Sequence, residues 1–110
     1  MNYKKSDIIL VPFPFTDLTS TKRRPALIIS PDEYNTGADV VIAFVTSKMD
    51  LKYRTGDYKI EKWGKSNLPK PSMIRMKFAT IDKSIIIKKL GKLQNTDSKL
   101  FNKLLVEFFT

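Results

Sequence analysis

Two uninterrupted apolar runs, Ala26-Leu27-Ile28-Ile29 and Val40-Val41-Ile42-Ala43-Phe44-Val45, constrain this chain more than any other feature. A strand with one face in water alternates apolar and polar residues; these runs carry apolar side chains at both parities, so both of their faces must be covered. Their β-branched content and the turn residues around them, Ser30-Pro31 and Asn35-Thr36-Gly37, favour strands over buried helix. A chain of 110 residues has material for one core, so the cover has to come from the same small fold.

The flanking segments supply that cover. Asp7 to Val11 reads as a first strand, continued in extended form by Pro12-Phe13-Pro14-Phe15, and Thr16 to Thr21 forms a polar loop. Lys22 and Arg23 belong to this loop, and the strand Arg24 to Ser30 follows, with Pro31 to Gly37 as a turn containing one helical turn. After the strand Asp39 to Ser47 come a hydrophilic loop, Lys48 to Gly56, and a short edge strand, Asp57 to Ile60. Residues 61–71 are irregular, with Trp63 as a lid over the core. Ser72 to Phe78 alternates, setting Met73, Arg75 and Lys77 on a basic face. Ser84 to Ile87 and Lys88 to Leu93 form one further strand with a bulge at Gly91. From Thr96 onward, Leu100, Phe101, Leu104, Leu105 and Phe108 fall on one face of a helix that Thr96 or Asp97 can cap. The expected fold is mainly β: one domain over residues 1–110, a strongly bent antiparallel sheet closed toward a barrel and sealed by a C-terminal α-helix.

Charge narrows the partner. Twenty Lys and Arg against eleven Asp and Glu give a formal charge of +9, which suits an anionic ligand such as nucleic acid or an acidic peptide, or a solvated lysine surface. Without cysteine there are no disulfides or thiolate metal sites, and without histidine the side chain that most often moves protons near neutral pH is missing. No apolar run approaches a membrane span of about 20 residues, and no basic-then-apolar leader opens the chain, so a cytoplasmic location is expected.

The sharpest local signal is Arg24-Pro25, where charge meets the first buried run. Arginine is a permanent, planar, forked donor suited to phosphate, and a strand fixes where the fork points. The competing reading is an ion pair with a nearby carboxylate such as Asp17.

These segments together resemble the MazF/PemK family of toxin endoribonucleases over essentially the whole chain. The residues that carry the resemblance are Asp7-Ile8-Ile9-Leu10-Val11, Arg24-Pro25, Phe44-Val45-Thr46-Ser47, Ser72-Met73-Ile74-Arg75, Ala79-Thr80-Ile81-Asp82-Lys83 and the terminal amphipathic helix, in that order. The resemblance implies an SH3-like barrel of the MazF/PemK/CcdB toxin type and a homodimer. It also implies cleavage of single-stranded RNA with no metal or other cofactor, and a cognate antitoxin whose acidic segment lies over the RNA groove.

Such cleavage uses the substrate's 2′-hydroxyl as nucleophile and leaves a cyclic phosphate, so the protein must stabilise phosphorane charge and manage two protons. On the resemblance, Arg24 is the stabiliser of that charge, Thr46 contributes a hydroxyl at the end of the central strand, and Arg75 matches an arginine given an acid role in some members. Those members place a carboxylate two residues later as base; here Lys77 stands there, and the base is unassigned. Lys22, Arg23, Lys48, Lys52, Tyr53, Arg54 and Lys77 are the expected RNA-binding residues, cations with one stacking ring. Two other functions compete: a non-catalytic toxin on the same fold that binds a protein target such as gyrase, and a plain SH3-like interaction module, whose peptide groove would show more clustered aromatics.

Overall fold

The computed structural model describes residues 2–13, 22–49 and 52–110. Its elements are β1 (Asp7–Phe13), β2 (Lys22–Ile28), α1 (Asp32–Asn35), β3 (Asp39–Thr46), β4 (Tyr58–Lys59), β5 (Met73–Asp82), β6 (Lys88–Lys92) and α2 (Asn95–Phe108). The strands form one curled antiparallel sheet in the order β4-β5-β3-β2-β1-β6, and α2 closes one face.

The apolar runs sit where their pattern demands. β2 and β3 are central, and alternate residues feed two separate cores. Ile8, Leu27, Ala43, Val45 and Ile74 pack with Phe101 of α2, while Ile9, Val11, Ala26, Ile28, Val40 and Ile42 pack with Ile81 and Ile86 on the opposite face. Covering both faces removes the need for polar alternation, as the sequence required.

Three expectations are corrected. Lys22 and Arg23 are strand residues, paired with Phe13 and Pro12 of β1. Ser84 to Ile87 is not strand. Lys83–Ile85 is a 3₁₀ turn, begun by the Asp82 carboxylate accepting the Ser84 N–H at 2.8 Å, and this local bond competes successfully with strand pairing. α2 starts at Asn95 without a side-chain cap, because Asp97 is turned inward. It is fully buried and accepts from Tyr58 Oη (2.5 Å), Glu61 N (3.0 Å) and Lys62 N (2.9 Å), fastening the helix to the segment after β4.

The helix buries a narrower stripe than its spacing predicted. Phe101 is deep and Leu105 packs on the core, whereas Leu100 and Phe108 are exposed. The bulge near Gly91 is present: Ile8 pairs with Gly91 and Ile9 with Lys89, leaving Leu90 as the extra residue. Trp63 packs over the core as a partly buried lid.

Candidate active site

Two departures from regular pairing open a groove on the sheet. Pro25 has no N–H to give β3, and the β2–β3 ladder stops at Ala26 opposite Phe44. On the other side of β3, Val45 pairs with Ile74 and Ala43 with Phe78, so Arg75, Met76 and Lys77 all stand against Phe44 alone. This bulge in β5 re-aims side chains at the point where β2 and β3 part.

The resulting groove has a volume of about 560 Å³. Its described lining holds Arg23, Arg24, Lys48, Arg54, Lys70, Arg75 and Lys77, and among those residues no Asp, Glu or His. Phe13, Pro25, Phe44, Val45, Leu68 and Pro69 add apolar surface, and Thr46, Ser47 and Ser72 add hydroxyls. Cations around apolar walls, with no carboxylate in the described lining, attract an anion that also carries flat apolar groups.

Arg24 leaves β2 on an exposed part of the strand, with its guanidinium carbon 6.0 Å from the centre of the Phe13 ring. Arg24 and Thr46 both line the groove beyond the end of the β2–β3 ladder. No carboxylate among the described residues pairs with Arg24; Asp17, the sequence-based alternative partner, lies outside the described residues. Thr46 Oγ1 accepts the Lys48 N–H at 3.1 Å, which fixes the hydroxyl oxygen at the end of β3 and leaves its proton to donate.

Arg75 differs from the expected free cation on a basic strand face. Only 9% exposed, it donates from Nη2 to Asp57 Oδ2 at 3.1 Å and to the Lys52 carbonyl at 3.3 Å. Lys77 is exposed, and its Nζ lies 5.0 Å from the centre of the Phe44 ring. Arg75 and Lys77 line the same groove, as their alternation on β5 predicts, in the stretch where three residues of β5 face Phe44.

Of the sequence-predicted residues, the groove brings together Arg24, Thr46, Arg75, Arg23, Lys48, Arg54 and Lys77. It does not include Lys22, Lys52 or Tyr53. Lys22 is exposed at the start of β2, Lys52 offers its backbone carbonyl to Arg75, and Tyr53 projects with 66% of its surface exposed. Residues missed from sequence are Phe13, Phe44, Leu68, Pro69, Lys70 and Ser72. Phe44 reads as core from its apolar run and Phe13 as an exposed apolar position, and the structure puts both rings in the groove wall.

Comparison with known proteins follows the same geometry. A family model described as PemK-like, MazF-like toxin of type II toxin-antitoxin system matches residues 4–109. Among solved structures, an endoribonuclease from Mycobacterial species in complex with its cognate antitoxin superposes with a TM-score of 0.76 at 17% identity, covering 96% of this chain and 92% of that one. The Mycobacterium tuberculosis toxin MazF-mt6 gives 0.74 at 16% identity, with 94% and 95% covered. MazF from Deinococcus radiodurans gives 0.73 at 18% identity, with 99% and 97% covered. A search of curated protein sequences returned no match. At these identities the structural likeness speaks for the fold.

Proposed function

The chain belongs to the PemK-like, MazF-like toxins of type II toxin–antitoxin systems, and we propose that it is a toxin domain spanning residues 1–110 that cleaves single-stranded RNA at short sequence motifs. Several relatives of the same fold are endoribonucleases by name, one of them held by its cognate antitoxin. The observation that carries the reading is Arg24, a strand-held guanidinium without a carboxylate among the described residues, lining the same cationic groove as Thr46.

In this reading the scissile phosphate lies between Arg24 and Arg75. Attack by the 2′-hydroxyl gathers negative charge on the phosphorane oxygens, which the two guanidiniums meet with preplaced donors. The Thr46 hydroxyl donates to a phosphate oxygen and orients it. The described lining has no carboxylate or imidazole, so the base stays unassigned among the described residues, and the two guanidiniums supply positioning and charge stabilisation. The 2′-proton passes to solvent water, the P–O5′ bond breaks as the 5′-oxygen takes a proton from water, and the upstream fragment ends in a 2′,3′-cyclic phosphate.

Lys77 and Arg54, with Arg23, Lys48 and Lys70, hold the flanking phosphates, and Phe13 and Phe44 offer ring surface to bases. The same cationic groove suits the acidic segment of a cognate antitoxin, and a second copy of the chain completes a homodimer. Among the described residues no helix is long and apolar enough to cross a membrane; the proposed site of action is the cytoplasm, where mRNA is.

Incubation of purified protein with a mixed RNA in the presence of EDTA tests this. Fragments ending in cyclic phosphate, lost by on the order of a hundredfold or more in Arg24→Ala, are the expected result. Intact RNA with correctly folded wild-type protein overturns it and leaves a protein target, such as gyrase, as the toxin's object.

A further inference from the structure

Behind the groove wall lies a second depression of about 310 Å³, which shares Arg54, Arg75 and Lys77 with the groove and adds Asp57 and Phe108. The three shared cations therefore form a partition, and Asp57 stands at its rear. Its side chain is 1% exposed, yet one oxygen holds two parts of the partition: Oδ2 accepts from Arg75 Nη2 at 3.1 Å and from the Arg54 N–H at 2.8 Å. Asp57 N–H in turn donates to the Arg54 carbonyl at 2.9 Å, closing a tight turn through Gly56 at φ +92°.

We propose that Asp57 is a positioning residue that sets Arg54 and Arg75 as a paired guanidinium wall for a single-stranded polyanion. The wall is a consequence of how the donors are divided. Arg75 carries five N–H donors, and its Nη2 end is consumed by Asp57 and the Lys52 carbonyl. Its Nη1 and Nε donors engage no other described residue and are the ones left for a ligand. A buried arginine without that carboxylate would be free to rotate and would lack its counter-charge. The same carboxylate holds the Arg54 backbone, so the loop bearing Arg54 and the strand bearing Arg75 take their relative placement from one atom. The inference rests on the reading of the groove as an RNA site, and adds to it a residue that touches no RNA.

The test is a double-mutant cycle read by binding, using a short single-stranded oligonucleotide with 2′-O-methyl ribose throughout, which blocks the nucleophile. Asp57→Asn and Arg75→Gln are each expected to weaken binding about tenfold, and the double variant also about tenfold, because both changes remove one device. Losses that multiply to about a hundredfold overturn the proposal. Circular dichroism establishes that each variant is folded. If Asp57→Asn is not folded, Arg75→Lys decides: its ammonium keeps the pair with Asp57 but has no second end for the ligand. An approximately tenfold loss supports the proposal, and affinity within about twofold of wild type overturns it. Cleavage of ordinary RNA is followed in parallel. Coupling without wild-type cleavage removes the nuclease reading and keeps the positioning role; cleavage without coupling does the reverse; a wild type that neither binds the oligonucleotide nor cleaves RNA removes both.

Discussion

Lys77 Nζ lies 5.0 Å from the centre of the Phe44 ring, directly across the irregular stretch of β5 that faces that residue. A cation over a ring at an exposed site gains on the order of 0.5–1 kcal/mol, enough to bias where a flexible ammonium rests without immobilising it. Lys77 is thus held at the groove rim as a point charge. It occupies the position at which the resemblance calls for a carboxylate base.

Lys77→Ala is therefore expected to weaken RNA binding by less than about tenfold and to lower the salt dependence of binding by about one phosphate contact. Fluorescence anisotropy across a salt series measures both. A fall in cleavage of several orders of magnitude at saturating RNA would instead assign Lys77 a proton-transfer role.

Asp97→Ala should be among the most damaging substitutions outside the groove. It strips a fully buried carboxylate from one hydroxyl and two backbone donors, and leaving such donors unsatisfied costs about 2–4 kcal/mol together. Urea unfolding followed by circular dichroism would show the loss as a lower midpoint. A change below about 0.5 kcal/mol would mean that water replaces the carboxylate.

Gly91→Ala should destabilise by roughly 1–3 kcal/mol. A Cβ there would land on the Ser66 carbonyl, and a backbone neighbour cannot swing aside as a flexible side chain would. Gly64→Ala is the control, since a Cβ at that position meets nothing within 4 Å. Thermal unfolding of the two variants side by side checks the contrast.

Tyr58 gives the chain an alkaline limit. Burial, followed by the hydrogen bond to Asp97 and the repulsion of Asp97 and Glu61, raises its phenol well above the ordinary value of 10.0. The unfolded chain then releases this proton first, so the contribution of Tyr58 is whole below about pH 10 and declines as pH rises beyond it. Tyr58→Phe, less stable at neutral pH for want of the Asp97 bond, should lose less stability than wild type between about pH 10 and 11. Urea midpoints at the two pH values test this, and parallel slopes would refute it.

Most of the sheet was legible because burial on both faces writes itself as unbroken apolar runs. Ala26 to Ile29 and Val40 to Val45 could only be central strands, and they are. Arg24-Pro25 stands out in the sequence as a cation and a proline at the edge of an apolar run, and the structure puts that arginine in the groove lining. What alternation could not reveal were features set by a partner distant in sequence. Asp97 looks like a cap until Tyr58, Glu61 and Lys62 arrive beside it. Arg75 looks like a free cation until Asp57 folds behind it. Ser84 to Ile87 has the branched residues of a strand, and a two-residue carboxylate bond from Asp82 outweighs that preference. Asp17 and the rest of residues 14–21 lie outside the described residues.

The irregularity in β5 has an even length. Between the pairs Val45 with Ile74 and Ala43 with Phe78, β5 spends three residues where β3 spends one, an excess of two. An odd excess would have turned every later side chain of β5 to the wrong face; an even one leaves Ile81 in the core as though nothing had been inserted. Excising two residues would restore the alternation of a plain ladder and erase the groove wall, but it would take with it either Arg75, the partner of buried Asp57, or Met76, which packs on the core.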